Sequence, residues 1–472
     1  MIPVAAYDGK DVAVFGLGRT GISAARALMA GGARVHAWDD NEASRTKAAE
    51  AGVTIRDINK MDWQHYAALI LSPGVPYKYP EPHRVVKMAQ LVGVPVIGDM
   101  ELFARAVNDL PVHARPKIIG VTGTNGKSTT TALIGHILKN AGVDARVGGN
   151  IGVGVLDLEQ LHANAVYVLE LSSYQLDLIE TLRCDVAVFL NISPDHLDRH
   201  GGMDGYMAAK KRIFANQQPS DYAIVGVDDL RTQVLCTKLA AEGGRRVMAV
   251  SAELALGKGV SVLDGKLSDS MEGRAAAPAD LRRAKALPGK HNHQNAAAAY
   301  AACRALGMDA REILDGMEQF PGLAHRLEAV GEVDGVRFIN DSKATNAQAA
   351  DQALKAYPGA YWILGGRPKD DGIDELEPRF GDVRKAYLIG QAADSFAEVL
   401  KGKAEAVKSR TLEAAILSAF EDAKASGDEG PVILFSPACA SFDQFSDFEA
   451  RGEAFKALVR NLTLQAPARA LA

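Results

Sequence analysis

One stretch of the sequence has the residue types of a phosphate-binding loop. The apolar residues 117–121 (KIIGV) predict a buried strand, and the segment 123–128 (GTNGKS) follows it directly before a threonine-rich helix. Glycines let backbone N–H groups turn toward a phosphate, Lys127 supplies a cation for its oxygens, and Ser128 supplies a hydroxyl for Mg²⁺. The usual GxxxxGK[ST] spacing fails by one place because residue 121 is valine. The order of elements still predicts a site for ATP or GTP, with a purely structural turn as the alternative.

Candidate metal ligands follow the next predicted strands. The strand 166–170 ends at Glu170, and the strand 186–190 runs into a loop that contains His196. Parallel strands present ligand-binding residues at their carboxyl ends, so both side chains are candidates for the metal ion that accompanies a triphosphate. Structural alternatives stay open: Glu170 could cap the next turn, His196 could be an ordinary loop histidine, and Lys210 could be a solvated helix charge.

A second glycine loop, GLGRTG at 16–21, follows a short apolar run near the N-terminus. The next predicted strand, 33–38, ends at Asp39, which gives the spacing of a dinucleotide-binding fingerprint. The loop alone leaves three interpretations open: a nicotinamide or flavin dinucleotide, another nucleotide-like ligand, or glycines that serve packing. Ser72, after the predicted strand 67–71, is expected to face the same crevice.

Composition restricts the class of protein. The chain has 472 residues, 47% of them hydrophobic, and a prior of about 150 residues per domain predicts about three domains. The formal net charge of −5 argues against a nucleic-acid binder with a broad basic surface. The four cysteines form no CxxC pair, and neither a signal peptide nor an apolar run of ~18 residues is found. We expect a cytoplasmic monomer that binds small molecules and has no nucleic-acid or membrane partner.

Short apolar runs alternate with alanine-rich helical stretches along the whole chain. This is the pattern of βα units, and it predicts an α/β fold with mostly parallel sheets. Breaks that contain proline and glycine occur at 107–116 and 320–323. They predict domains at 1–112, 113–321 and 322–472.

Segments in all three predicted domains resemble the Mur ligases, in the same order along the chain. They are GTNGKST at 123–129, GGNIG at 148–152, LELSSYQL at 169–176, NISPDHLDRH at 191–200, AAKKRIF at 208–214, PGKHNHQNAAAA at 288–299, HRLE at 325–328, NDSKATN at 340–346 and SPACASFDQF at 436–445. The last three are similar to the branch that adds D-glutamate to UDP-N-acetylmuramoyl-L-alanine. The resemblance implies a Rossmann-like N-terminal domain, a P-loop NTPase-like central domain and a Rossmann-like C-terminal domain.

The resemblance also implies a reaction. The γ-phosphate of ATP would pass to the L-alanyl carboxylate, and the amine of D-glutamate would attack the acyl phosphate and release phosphate. The implied catalytic residues are Lys127, His196, Lys210 and Lys343. One Mg²⁺ would be held by Ser128 and Glu170, and a second by His196 and Lys210. Lys210 would be carbamylated, an expectation that comes from the AAK context of the family alone.

The resemblance assigns binding residues to each substrate. ATP would contact Gly123, Thr124, Asn125, Gly126, Lys127, Ser128, Thr129, Asn295, Arg326 and Asp341, which implies a third domain that closes over the nucleotide. The UDP substrate would contact Gly18, Arg19, Thr20, Asp39, Ser72, Asn150 and Gly152, so the first glycine loop would bind UDP and not NAD. D-Glutamate would contact Thr345, Lys369, Ser441, Phe442 and Phe448.

Arg367 departs from the family pattern, which has an acidic residue two places before Lys369. A ligase for another amino acid or acceptor therefore stays an alternative, as do an NAD-dependent oxidoreductase with an accessory P-loop domain and a non-catalytic nucleotide switch. Lys343 and Lys369 could also be solvated loop lysines, and Phe448 could be an ordinary core residue.

Overall fold

The structure is a computed structural model that describes residues 1–271, 279–368 and 372–469, with side chains in the last helix to residue 464. Lys369, predicted to bind D-glutamate, lies outside the described residues. Two compact units make up the fold. The first unit comprises 1–283 and 292–319, and the second unit comprises 284–291 and 320–472. In the ranges described, no helix is long and apolar enough to cross a lipid bilayer.

The N-terminal part of the first unit is a parallel sheet in the order β2-β1-β3-β4. Its elements are β1 (Asp11–Phe15), α1 (Arg19–Ala30), β2 (Arg34–Trp38), α2 (Glu42–Glu50), β3 (Tyr66–Leu71), α3 (Arg84–Leu91), β4 (Val96–Ile97) and α4 (Asp99–Asn108). Strands β1 and β3 are almost entirely buried, which explains their continuous apolar sequence. Phe15 is in register with both Trp38 and Leu71, so the turns after β1, β2 and β3 leave the sheet side by side.

The rest of the first unit contains a larger sheet in the order β13-β12-β11-β10-β9-β8-β5-β7-β6. Pairing is parallel from β6 to β11 and antiparallel from β11 to β13. The elements are β5 (Lys117–Thr122), α5 (Lys127–Asn140), β6 (Asp144–Gly149), β7 (Ala165–Glu170), α6 (Ser173–Asp177), β8 (Val186–Phe189), α7 (Leu197–His200), α8 (Met203–Lys211), β9 (Tyr222–Gly226), α9 (Leu230–Glu242), β10 (Arg246–Ser251), β11 (Val260–Leu263), β12 (Lys266–Asp269), β13 (Ala279–Asp280), α10 (Lys290–Ala305) and α11 (Ala310–Glu318).

The position of β5 between β7 and β8 determines which loops meet. Val121 pairs with Glu170 and Thr122 pairs with Phe189, so the loops after β5, β7 and β8 emerge at one edge. Carboxyl ends of parallel strands are where such sheets bind ligands. The strands predicted at 117–121, 166–170 and 186–190 are confirmed to within one residue at each end.

The second unit is built on a sheet in the order β14-β15-β19-β16-β17-β18, parallel except for the β14–β15 pair. Its elements are β14 (Glu328–Val333), β15 (Val336–Asn340), α12 (Ala347–Ala356), β16 (Tyr361–Gly365), β17 (Lys385–Ile389), α13 (Ala393–Leu400), β18 (Ala406–Arg410), α14 (Leu412–Ala425), β19 (Val432–Phe435) and α15 (Phe448–Arg469). Phe435 pairs with Asn340 and lies level with Ile363, so the loops after β15, β19 and β16 share one edge. The predicted α/β class with mostly parallel sheets is confirmed.

Candidate active site

The glycine turn after β5 has, at residue 126, a backbone conformation that favours glycine. Gly126 has φ +84° and precedes the first residue of α5. A Cβ atom there would lie 2.1 Å from Oδ1 of the buried Asn295. Lys127 Nζ donates to the carbonyl oxygens of Gly123 at 3.0 Å and Thr124 at 2.8 Å. The turn therefore holds the ammonium group of Lys127 at the start of α5. Backbone N–H groups and the helix dipole favour an anion there.

Lys210 is buried at the same turn. Its residue is 1% exposed, and its Nζ donates to the Gly123 carbonyl oxygen at 2.7 Å. Burial, together with the neighbouring Lys127 ammonium, holds the pKa of the Lys210 amine well below its usual range, and Asp195 and Glu170 only partly oppose this. The interpretation of Lys210 as a solvated helix charge is therefore wrong.

Glu170, at the end of β7, presents a buried carboxylate to this edge. Its residue is 2% exposed, and Oε1 accepts a hydrogen bond from Asn150 Nδ2 at 2.7 Å. Its Oε2 is buried and has no hydrogen-bond partner among the described residues, which is unfavourable unless a ligand completes the site. Ser128, on the neighbouring turn, is also buried. A hydroxyl and one carboxylate suit Mg²⁺, which takes its remaining ligands from phosphates and water.

The threonines after Ser128 extend this polar surface into α5. Thr129, Thr130 and Thr131 are buried, and in the part of the chain that the structure describes their Oγ1 atoms have no hydrogen-bond partner. Only Thr129 was predicted to contact ATP. In the described residues, no three His, Cys, Asp or Glu side chains come together as a metal site. A metal ion here would therefore depend on the bound nucleotide for several ligands.

His196 lies in a left-handed backbone conformation, with φ +53°, immediately before α7. Its side chain is about half exposed, with Nε2 3.5 Å from Asp195 Oδ2 and its ring centroid 5.2 Å from that of Tyr174. The imidazole is thus accessible beside a carboxylate. Asp195 influences Lys210 electrostatically, so the loop after β8 and helix α8 contribute side chains to the same part of the site.

Two residues to which the sequence analysis gave no role support the turn 123–128 after β5, here called the phosphate turn. Asn191 Oδ1 accepts from the Asn125 backbone N–H at 2.9 Å, and Asn191 Nδ2 donates to the Asn125 carbonyl at 3.2 Å. The Tyr206 hydroxyl lies 3.3 Å from Thr124 Oγ1, which donates to the Ser193 carbonyl. Their spacing from the turn, 66 and 82 positions, carries no local signal.

The three positions of the first loop that are occupied by glycine differ in whether a larger residue would fit. A Cβ on Gly16 would lie 2.6 Å from Ser72 Cβ, and one on Gly21 would lie 1.8 Å from the Gly16 carbonyl oxygen. A Cβ on Gly18 would meet nothing within 4 Å. Gly16 and Gly21 are therefore needed for close packing, whereas Gly18 leaves the turn open to a ligand. This is the division of roles expected of a diphosphate-binding turn.

The residues predicted to surround this turn lie close together. Asp39 Oδ2 accepts from the Leu17 N–H at 2.6 Å, so its carboxylate holds the glycine turn in shape. Arg19, next to Thr20 at the start of α1, donates through Nη1 to the Gly152 carbonyl at 2.7 Å. The Asn150 N–H donates to the Glu170 carbonyl at 2.9 Å. The segment 150–152 thus contacts both the first glycine loop and the end of β7.

In the second unit, Asp341 follows β15 and is buried. Its Oδ2 accepts from Ser436 Oγ at 2.7 Å and its Oδ1 from the Leu327 N–H at 3.2 Å. Burial raises the pKa of Asp341 to about 7, although Ser436 and the Arg326 cation act in the opposite direction. Arg326 Nε is buried and has no hydrogen-bond partner within the described ranges. Arg326 and Asp341, both predicted to contact ATP, therefore lie close enough to interact electrostatically.

The other predicted residues of the second unit gather around the same edge. Lys343 Nζ lies 4.3 Å from the centre of the Phe448 ring, and both residues are partly buried. Ser441 is buried, Thr345 is partly buried, and Phe442 is 66% exposed. Arg367 exchanges two backbone hydrogen bonds with Ala440, which ties the loop after β16 to the loop after β19.

Arg451, on α15, is a buried residue of this site that the sequence interpretation missed. It is 1% exposed and donates hydrogen bonds to Ser342 and to the Cys439 carbonyl. In the sequence it is a single arginine ten residues after Ser441, the last residue of the SPACAS segment, and no motif marks that spacing.

Family comparisons cover most of the chain. The Mur ligase MurD-like N-terminal domain matches residues 10–98, the Mur ligase middle domain matches 121–303, and the Mur ligase glutamate ligase domain matches 325–439. A protein of Caulobacter vibrioides named UDP-N-acetylmuramoylalanine–D-glutamate ligase is 60% identical over 463 residues, covering 98% of each chain. A protein of the same name from Rhodospirillum rubrum is 50% identical, covering 98% of this chain and 97% of its own.

Solved structures with low identity share the fold. The UDP-N-acetylmuramate-alanine ligase MurC of Thermotoga maritima aligns with a TM-score of 0.59 at 18% identity, over 96% of this chain and 99% of that one. The MurF ligase of Thermotoga maritima in complex with ADP aligns with a TM-score of 0.55 at 19% identity, over 84% and 90%. With three family domains matched in order and relatives of 50–60% identity over nearly the full length, the chain belongs to the Mur ligase family.

Proposed function

We propose that this enzyme uses ATP to join D-glutamate to UDP-N-acetylmuramoyl-L-alanine through an acyl phosphate, in the synthesis of peptidoglycan precursors. The observation that carries the choice of substrates is the 60% identity, over 98% of both chains, to a relative of that name. The geometry of the first unit supports the phosphoryl-transfer half of the reaction, because two lysines and a buried carboxylate lie at one phosphate turn.

Charge neutralisation at the turn after β5 drives the first step. Lys127, held by two carbonyl oxygens, moves its ammonium onto the phosphate oxygens as the nucleotide binds. The L-alanyl carboxylate oxygen attacks the γ-phosphorus, the bond from that phosphorus to the β,γ-bridging oxygen breaks, and ADP leaves. The N–H groups at the start of α5 stabilise the transferred charge without reorganisation.

The second step forms the amide. The amine of D-glutamate attacks the acyl carbon, the C–O bond to phosphate breaks, and inorganic phosphate leaves while the amine loses a proton. D-Glutamate carries two carboxylates, which require several donors and at least one cation. Thr345, Ser441, the loop around Phe442 and Lys369 are the proposed contacts, with Lys343 and its Phe448 neighbour beside them. Asp341 and Arg326 are proposed to contact the ribose and the phosphates of ATP, and Asn295 its adenine.

Mg²⁺ fits the residues of the first unit. Ser128 and the unpartnered Oε2 of Glu170 would hold one ion. His196 and Lys210 would hold a second, provided that Lys210 carries a carbamate. Divalent ions would neutralise phosphate charge and orient the transferring group. Only an uncharged amine reacts with CO₂, and burial of Lys210 favours that form.

Carbamylation of Lys210 has a direct measurement. Protein equilibrated with ¹³C-bicarbonate should show one carbamate carbon resonance that Lys210→Arg removes, since arginine does not form the carbamate. Lys211→Arg on the exposed side of α8 is the matched control and should keep the resonance. A spectrum that is unchanged by Lys210→Arg would contradict this assignment.

The first glycine loop is proposed to bind the UDP diphosphate. Gly18, Arg19 and Thr20 would contact it, and Asp39, Ser72, Asn150 and Gly152 would line the same crevice. The nicotinamide interpretation is set aside, because the MurD-like N-terminal domain of the Mur ligases matches residues 10–98. We further propose domains at 1–112, 113–321 and 322–472, and a cytoplasmic monomer with small-molecule substrates only.

The test is phosphate release in the presence of ATP, Mg²⁺ and UDP-N-acetylmuramoyl-L-alanine, with D-glutamate, L-glutamate or D-aspartate as the acceptor. Release and amide formation with D-glutamate alone are expected, and would show that Arg367 is compatible with this amino acid. Release with another acceptor would mean that the enzyme uses a different amino acid, while the proposed ligase chemistry would stand. No release with any acceptor would contradict the proposed function.

A further inference from the structure

Arg451 is an unusual residue of the second unit because its guanidinium group is enclosed by neutral acceptors. Nε donates to Ser342 Oγ at 3.0 Å, Nη2 donates to the Ser342 carbonyl at 2.7 Å, and Nη1 donates to the Cys439 carbonyl at 3.0 Å. None of these three acceptors is a carboxylate. Burial lowers the pKa of Arg451 to about 10, so the group still carries its charge at neutral pH.

Asp443 and Asp341 act on Arg451 electrostatically, but among the described residues neither forms a salt bridge with it. Burying a cation without such a pair costs free energy that an apolar side chain of similar size avoids. The positions of the acceptors indicate which part of the structure the buried guanidinium stabilises. Ser342 lies between Asp341 and Lys343, which we assign to ATP and the acyl phosphate. Cys439 lies in the loop after β19 that leads to Ser441, which we assign to D-glutamate. One planar group therefore donates hydrogen bonds to both segments.

Other contacts attach the first of these segments to the beginning of α15. Ser342 Oγ donates to the Phe448 carbonyl at 2.8 Å, and Asn340 Nδ2 donates to the Gly452 carbonyl at 3.2 Å. The segment after β19 receives a side-chain hydrogen bond from α15, from Arg451 to the Cys439 carbonyl, and it is also held by the backbone hydrogen bonds between Ala440 and Arg367. Removing the guanidinium would therefore remove the side-chain hydrogen bond to Cys439 while leaving the Arg367 pairing and part of the Ser342 attachment in place.

We propose that Arg451 is a positioning residue that fixes the spacing between segment 341–343 and segment 439–442. The inference rests on the proposed function for the roles of those segments. Arg451 contacts no reacting atom in this account. Its planar fork sets the direction of each N–H, which the single ammonium of lysine does not reproduce.

The test compares Arg451→Met, Arg451→Lys and the control Arg460→Met, which alters an exposed arginine on the same helix. For Arg451→Met we expect kcat to fall about 100-fold and the KM for D-glutamate to rise about tenfold, as for misplaced reacting groups. The KM for UDP-N-acetylmuramoyl-L-alanine, bound by the first unit, should stay unchanged. Arg451→Lys should lie between the parent and Arg451→Met, and Arg460→Met should match the parent.

Amide hydrogen exchange provides a readout that does not depend on activity. In Arg451→Met, exchange should accelerate in segment 437–443 most and in segment 340–345 less, while the sheet of the second unit stays protected. If the parent enzyme releases no phosphate with D-glutamate, the proposed function fails and the exchange experiment still decides the role of Arg451.

A folded Arg451→Met variant with parental kinetic constants and parental exchange in both segments would overturn the inference. If Arg451→Met does not fold, Arg451→Lys decides: faster exchange in segment 437–443 and a raised KM for D-glutamate support the positioning role. Parental behaviour of Arg451→Lys would show that charge and volume suffice and would overturn the role of the fork.

Discussion

The phosphate turn of the first unit and the loops of the second unit hold their charged residues by different means. In the first unit, Lys127 donates to carbonyl oxygens three and four positions earlier, so the turn organises its own cation. In the second unit, Ser342 is held by Arg451 from 109 positions away and contacts Phe448 from 106 positions away. The Lys127 ammonium is thus held by its own turn, although the distant Asn191 and Tyr206 also support that turn, whereas the second arrangement depends on the docking of α15.

The buried carboxylates of the two units also differ, in how many of their oxygens accept hydrogen bonds. Among the described residues Glu170 Oε2 has no partner, whereas both oxygens of Asp341 accept hydrogen bonds within the protein. In the proposed function, Glu170 therefore has an oxygen available for a metal ion, and Asp341 would share its oxygens with a ribose hydroxyl. We expect substitutions in the first unit to affect chemistry most, and those in the second unit to affect binding and its pH dependence.

The largest effect is expected for Lys127→Met. Loss of the ammonium leaves the phosphate charge without its nearest cation, so phosphate release should fall about 1,000-fold. Lys139→Met alters an exposed lysine on the same helix and should keep parental activity. A loss for Lys127→Met of less than tenfold would mean that the turn after β5 is not where the transferred phosphate lies.

Glu170→Gln should have the next largest effect. The amide keeps the shape and the contact with Asn150 but loses the charge that Mg²⁺ requires, so activity should fall about 100-fold. The Mg²⁺ concentration that gives half-maximal activity should rise at the same time. Glu159→Gln changes an exposed glutamate and is the control. Equal losses at all Mg²⁺ concentrations would speak against a metal-binding role for Glu170.

Asp99 provides a stability prediction in the first unit. Burial raises the pKa of Asp99 to about 6, against a hydrogen bond from Gln175. The folded state thus binds the proton more tightly than the unfolded state, and this stabilisation is lost as the pH rises through 6. Between pH 4.5 and pH 8, Asp99→Asn should gain about 2 kcal/mol in free energy of unfolding relative to the parent.

Urea denaturation at the two pH values measures the Asp99 effect. Asp109→Asn, an exposed substitution just after α4, should show no such gain. A relative stability of Asp99→Asn that does not change with pH would indicate that Asp99 has an ordinary pKa in the folded protein.

The smallest effect is expected for Asp341 in the second unit. Its pKa of about 7 means that the carboxylate becomes protonated as the pH falls from 8 to 6. A neutral group accepts hydrogen bonds from ribose less well, so the KM of the parent for ATP should rise about threefold over that range. In Asp341→Asn the KM for ATP should be higher at pH 8 and almost independent of pH. A parallel pH dependence in both proteins would assign the titration to another group.

The difference between the units also explains what the sequence could predict. The strands at 117–121, 166–170 and 186–190 follow from local spacing, and the structure agrees with those predictions. The packing reasons for Gly16 and Gly21 are visible only in the structure. The burial of Lys210 was not evident from the exposed-looking helix around it. The part played by Arg451 was not predictable at all, because it arises where α15 packs on two loops that are distant in sequence.

The acyl-phosphate route has one direct measurement. UDP-N-acetylmuramoyl-L-alanine labelled with ¹⁸O in its carboxylate is converted with ATP and D-glutamate, and the released inorganic phosphate is analysed by mass spectrometry. The proposed route predicts one ¹⁸O atom in the phosphate, because the attacking carboxylate oxygen leaves with it. Unlabelled phosphate, or label in AMP, would contradict the account.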